Sequence, residues 1–209
     1  MRGKFIVLEG GDYTGKKTQS IRLAEHILDL SEDNDVLITH EPTRHAQEIK
    51  RRLREDEDAY SDAEKMAELY IEDRRIHSGT IIEPNLREDV TVIGNRYAMS
   101  TCVYQSLQGV PLSRLIEMHQ HPEILKPDLT ILLDISEEVA DERARIRREA
   151  AEKKFEANRD FRNSVYQRYR ELAKSKTYTN RFGLVVMVKG NGKVDEVAEM
   201  VASVVDRVY

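Results

Sequence analysis

Tryptophan is absent from this chain and phenylalanine occurs only four times, so Ile, Leu, Val, Ala, Met and Tyr must build its core. A single cysteine, Cys102, excludes an intrachain disulfide. No CxxC or Cys/His spacing suggests a zinc site. This sparing use of thiols predicts a reducing, cytoplasmic compartment. Long apolar runs are missing too. The N-terminal run Phe5–Leu8 reads as a strand, too short for a signal peptide or a membrane span. An excess of positive charge is also lacking: the net charge is -5, which argues against nucleic acid as the main partner. With no repeat and no Pro/Gly-rich linker, one domain over residues 1–209 is the economical reading.

What is present is an alternation. Short apolar segments at residues 4–9, 35–39, 89–94, 128–135 and 181–190 read as strands. Between them lie helical periods. Residues 16–30 carry Ile21, Ala24, Ile27 and Leu28 at helical spacing, and residues 62–86 read as one long helix with Pro84 near its end. Residues 137–156 and 194–208 complete the set. Such alternation predicts the α/β class, with a five-stranded parallel sheet covered on both faces. Right-handed crossovers bring the strand C-termini to one edge, so the loops after the first three strands should gather into one site. The apolar segment "MSTCVYQSLQGVPLSRLIEM" suits either the core or a contact with a second copy. His119 and His121 in "MHQHPE" stand two apart and diverge on a helix, so they read as a helix end before Pro122 and not as a metal site.

The stretch "EGGDYTGKKTQ", residues 9–19, nearly completes the phosphate-binding pattern G-x-x-x-x-G-K-[ST]. Gly10, Gly15 and Lys16 fit, in the strand–loop–helix setting the motif needs. Gly10 and Gly15 let the backbone wrap phosphates, and the helix N-terminus favours an anion. Position 17 is Lys17, where a hydroxyl would hold magnesium; an ammonium repels a cation. Thr18, next along the helix, points about 100° away and is no obvious substitute.

Several ordered segments together resemble the thymidylate kinases, P-loop nucleoside monophosphate kinases that move a phosphoryl group from ATP to dTMP. They are "FIVLEGGDYTGKKTQ", "THEPT", "LYIEDRRIH", "VIGNRYAMSTCVYQ", "KPDLTILLDISEEVADER" and, after "KKFE", "YREL". The resemblance implies the P-loop kinase fold with a helical lid at about 143–158, ATP as donor with Mg2+, dTMP as acceptor, and a cytoplasmic homodimer. It implies ATP binding by Gly10, Gly11, Asp12, Tyr13, Thr14, Gly15, Lys16, Lys17 and Thr18.

On the acceptor side the resemblance implies Asp12 near the sugar 3′-hydroxyl, Glu41 of "THEPT", and Tyr70 stacked on thymine. Arg74 would read the thymine carbonyl and Arg96 would grip the acceptor phosphate. Tyr104 would crowd a ribose 2′-hydroxyl, and Ser100 and Gln105 would surround the base. Several have a plainer alternative: an ordinary turn aspartate for Asp12, a core position for Tyr70, a surface pair with Glu72 or Asp73 for Arg74, a solvent-facing helix position for Ser100 and Gln105. The lid segment is rich in cations, Arg143, Arg145, Arg147, Arg148, Lys153 and Lys154. Phosphoryl transfer needs positive charge on the transferring oxygens. Tyr13 stands where some family members carry an arginine, so the lid must supply that charge. Arg147 and Lys154 are the candidates, beside Lys16 and Arg96, for the catalytic set. Two departures fall near the magnesium position, Lys17 and, before Arg96, Asn95 in place of an aspartate. Three readings follow: a dTMP kinase with a weakened metal site, a kinase for another nucleotide or nucleoside, and a nucleotide-binding homologue with a regulatory role.

Overall fold

The computed structural model describes residues 2–55, 62–147, 159–175 and 180–208. Strand β1 (Phe5–Glu9) is buried along its whole length, as a central strand of a parallel sheet must be. It pairs in parallel with β3 (Thr91–Asn95) on one side and β4 (Leu129–Asp134) on the other. β2 (Val36–His40) lies outside β3, and β5 (Leu184–Lys189) outside β4, giving the order β2-β3-β1-β4-β5. The five parallel strands expected from the alternation are therefore all present, with ends shifted by at most three residues.

The period of two along β1 divides the core. Phe5 and Val7 enter one cluster with Met99, Cys102, Val103, Leu115 and Tyr169. Ile6 and Leu8 enter the other with Leu23, Ile27, Val197 and Val201. Helices α1 (Lys16–Leu30) and α9 (Val194–Val205) cover the second face. Helices α3 (Ala63–His77), α5 (Ala98–Leu107), α6 (Leu112–Met118) and α8 (Arg159–Lys174) cover the first. Each fully buried Leu, Ile or Val contributes roughly 1.5–3 kcal/mol. Met99, Cys102, Val103 and Leu115 are thus core residues of the chain itself, which decides the apolar segment's role at those positions.

The chain leaves β1 for α1 on one face and β3 for α5 on the other. A crevice therefore opens between the C-terminal ends of β1 and β3, the usual ligand position in such sheets. Two elements depart from the sequence reading. A short helix, α2 (Gln47–Glu55), follows β2 and carries Arg51 and Arg52 paired with Glu48. The long helix expected over 62–86 is three pieces: α3, a π turn at Ser78–Ile82, and α4 (Glu83–Arg87). Pro84 falls in the first turn of α4, where its missing N–H costs little. The helix expected over 137–156 is seen as α7 over Glu137–Arg147; residues 148–156 lie outside the described residues. Among the described residues no helix is long and apolar enough to cross a membrane.

Candidate active site

The loop between β1 and α1 is shaped by its glycines. Gly10 adopts φ 140° and Gly15 φ 89°, both in the region that side chains avoid. A β-carbon on Gly11 would lie 2.3 Å from the Tyr166 ring. Gly15 is the N-cap of α1 and no side chain caps it, so the first N–H groups of the helix face the loop. The buried Lys16 side chain turns back across the loop, donating to Gly10 O (2.9 Å) and Gly11 O (2.7 Å). Amide donors, a helix N-terminus and an ammonium on one loop have the chemistry to hold a polyphosphate.

Loops after β1, β2 and β3 do gather. A cleft of about 510 Å³ is lined by Asp12, Lys16, Lys17, Thr18, Thr39, Glu41, Asn95 and Arg96, among others. Arg96 sits just past β3 with φ 66°. Its guanidinium donates to Asp12 Oδ1 (2.7 Å), Ser100 Oγ (3.2 Å), Tyr169 Oη (3.3 Å) and Gly10 O (3.3 Å). It also lies 5.2 Å from the centre of the Tyr104 ring. Asp12 of the phosphate loop thus meets Arg96, Ser100 and Tyr104 of the segment after β3 at one point. Ser100 is buried and bonded to Glu9 Oε2 (2.7 Å), so the solvent-facing alternative for it does not hold.

Arg74 corrects another alternative. It forms no surface pair with Glu72 or Asp73: Glu72 pairs with Arg75, and Asp73 accepts from Thr43. Only 1% exposed, Arg74 donates from Nε and Nη2 to Glu41 Oε2 (2.9 and 2.6 Å), and to Thr101 Oγ1 (3.1 Å). Its Nη1 donates to His119 Nε2 (2.6 Å), which fixes that imidazole as the Nδ1–H tautomer donating to Leu115 O. Burial and the Arg74 charge push His119 down to about 3, so it stays neutral. Glu41 Oε1 accepts from His77. Glu41→Gln leaves a buried guanidinium without its counter-charge, and a loss of about 3–5 kcal/mol in unfolding free energy is expected. Denaturant melts of parent and variant measure it; a change under about 1 kcal/mol would contradict the pairing.

Tyr70 is half-buried on α3, one turn before Arg74, and belongs to neither core cluster. Gln105 is only 1% exposed, and neither amide atom finds a hydrogen-bond partner among the described residues. Its solvent-facing alternative is therefore also excluded. It lies one turn beyond Thr101, on the side of α5 that meets Arg74.

A sequence profile described as thymidylate kinase matches residues 8–201. The chain belongs to the thymidylate kinase family. It is 36% identical to a thymidylate kinase of Ruegeria pomeroyi, covering 97% of this chain and 94% of that one. A thymidylate kinase of Caldicellulosiruptor saccharolyticus is 32% identical, covering 99% and 97%. A probable thymidylate kinase of Staphylothermus marinus is 33% identical, covering 97% and 94%.

Thymidylate kinases use ATP, typically with Mg2+. The residues here fit a protein-held metal poorly. Magnesium ordinarily takes one or two carboxylates along with substrate phosphates. Among the described residues, the carboxylates lining the cleft are Asp12 and Glu41, and both face arginines. Lys17 stands exposed on the same wall, and no cluster of three His, Cys, Asp or Glu side chains occurs among the described residues.

On the donor side, Arg143 on α7 was no more than one lid cation among six in the sequence. The structure ties it to the loop, through Tyr13 O (3.2 Å), and to the β5–α9 connection, through Gly190 O (2.8 Å). It borders a second cleft of about 240 Å³ with Tyr13, Thr18, Gln19 and Gly192. Of Arg147 only the backbone is described, in α7. Lys154, Arg148 and Lys153 lie outside the described residues. Glu9 was passed over entirely. It is fully buried at the end of β1, where a charged residue in an apolar strand was the available signal.

Proposed function

We propose that this chain transfers the γ-phosphoryl group of ATP to dTMP, giving dTDP for dTTP synthesis. The observation that carries the acceptor is Gln105. Burying a carboxamide with both atoms unbonded costs about 1–3 kcal/mol per group, a cost that a complementary ligand removes. The thymine imide edge offers N3–H beside the O4 acceptor, which matches the amide oxygen and NH2. The donor-only guanidinium of Arg74 nearby favours a carbonyl at C4 over the amine of cytosine. Tyr70 supplies a ring for stacking on the base, and Tyr104 crowds the sugar at C2′.

Arg96 takes the acceptor phosphate, and its bond to Asp12 gives way so that Asp12 meets the 3′-hydroxyl. On the donor side, Lys16 and the N–H groups of residues 10–18 hold the polyphosphate. Arg147 and Lys154 supply lid charge to the transferring group. The metal site is weakened at Lys17 and Asn95. The single domain, the cytoplasmic setting and the homodimer belong to the same reading. The buried Met99, Cys102, Val103 and Leu115 are unavailable to a dimer contact, which must use other residues.

A coupled ATP-to-ADP assay over dTMP, dUMP, dCMP and thymidine tests the reading, with dTMP expected to turn over fastest. Gln105→Leu should raise KM for dTMP about tenfold or more, the worth of one to two neutral hydrogen bonds. KM for ATP should stay within about twofold. Faster turnover of dCMP or thymidine by the parent would sink the assignment.

A further inference from the structure

Four donors converge on the buried Glu9 carboxyl. Oε1 accepts from the backbone N–H of Tyr97 (2.8 Å) and of Ser100 (3.1 Å). Oε2 accepts from Ser100 Oγ (2.7 Å) and Tyr169 Oη (3.0 Å). The first pair caps α5 from a neighbouring strand; its N-cap, Tyr97, has no side-chain cap bond. The second pair are the hydroxyls to which Arg96 Nη1 donates. Arg96 itself holds a left-handed φ that a bulky side chain rarely adopts, and its own N–H is taken by Leu8 O (3.0 Å).

We propose that Glu9 is the positioning residue for Arg96. Its carboxylate fixes the turn that carries Arg96 and orients two hydroxyls so that their lone pairs face the guanidinium.

Proton counting supports this. Glu9 Oε2, Ser100 Oγ and Tyr169 Oη form a triangle, the hydroxyls being 2.7 Å apart. An acceptor-only carboxylate keeps both hydroxyl protons on the edges of that triangle, leaving oxygen lone pairs outward for Arg96. A glutamine amide at that corner brings two protons of its own. One hydroxyl proton is then forced outward, donor against donor, toward Arg96. Turning the amide over places its NH2 against the N–H groups of Tyr97 and Ser100 instead. Only a carboxylate satisfies all four donors. Burial, followed by the Glu9 charge, holds the Tyr169 phenol well above its ordinary range, so the hydroxyl keeps its proton.

The role of Arg96 on the acceptor phosphate rests on the proposed dTMP kinase reading; its placement by Glu9 does not. The test compares full-length parent, Glu9→Gln, Arg96→Ala and the double variant. Without substrate, 15N NMR follows the Arg96 guanidinium, assigned by its loss in Arg96→Ala. Glu9→Gln should speed its side-chain rotation by about tenfold or more, the loss of roughly one charge-assisted bond. By calorimetry, Glu9→Gln should weaken dTMP binding about tenfold, with ATP binding within about twofold. The double variant should bind dTMP no worse than Arg96→Ala, because the two residues act as one unit. Unchanged Arg96 signals, or effects of the two substitutions that multiply, would overturn the proposal. If Glu9→Gln does not fold, Glu9→Asp withdraws the carboxylate by one methylene while leaving both hydroxyls in place, and the same Arg96 signals decide. A parent that neither binds nor turns over dTMP refutes the kinase reading alone, and the guanidinium measurement still judges Glu9.

Discussion

Arg96→Ala should slow phosphoryl transfer by about 10³-fold while leaving ATP affinity nearly unchanged. Removing a single preorganised charge donor from a phosphoryl or oxyanion site commonly costs 10²-fold or more, and an arginine roughly 10³-fold or more. The geometry makes the larger figure the better expectation. Arg96 neutralises Asp12 at 2.7 Å, so its loss removes the phosphate's partner and also leaves an uncompensated carboxylate beside it. A planar guanidinium anchored at Nη1 by Ser100 and Tyr169 leaves Nη2 to exchange Asp12 for a phosphate oxygen. Single-turnover rates separate the chemical step from binding. Lys16→Ala should behave differently, losing donor affinity and turnover together, because Lys16 spans the loop itself. An equal fall in ATP affinity for Arg96→Ala would move Arg96 to the donor side.

The double change Lys17→Thr with Asn95→Asp should raise turnover and lower the magnesium concentration needed for half-maximal rate by about 10- to 100-fold. Two unit charges at 4 Å interact by about 1 kcal/mol in bulk water and roughly 4 at the effective dielectric near a protein surface. Lys17 is exposed, so the lower part of that range applies to it. Asn95 is half-buried on the same cleft, where a restored carboxylate would act more strongly. Together these amount to one to two decades in metal affinity. Rates titrated against Mg2+ at fixed ATP provide the measurement. An unchanged titration curve would mean that phosphates and water alone hold the ion. A parent that binds ATP but turns over no substrate would leave the chain a nucleotide-binding homologue.

The sheet could be read along the chain because its signals are local. Phe5–Leu8 and Ile131–Leu133 are unbroken apolar runs, as strands buried on both faces tend to be, and Gly10, Gly15 and Lys16 stand at the spacing a phosphate loop requires. The gathering of Asp12, Glu41 and Arg96 followed from the same patterns, since parallel crossovers leave the strand ends on one edge. Partners distant in sequence were another matter. Arg74 stands beside Asp73 and Glu72, yet pairs with Glu41, because folding buries the face of α3 that carries it and only a buried carboxylate can meet it there. The π turn after α3, the unbonded amide of Gln105 and the four donors around Glu9 likewise belong to no local period. They arise where α3, α5 and α8 close over the sheet, and each buried polar group must then take whatever partner that packing brings.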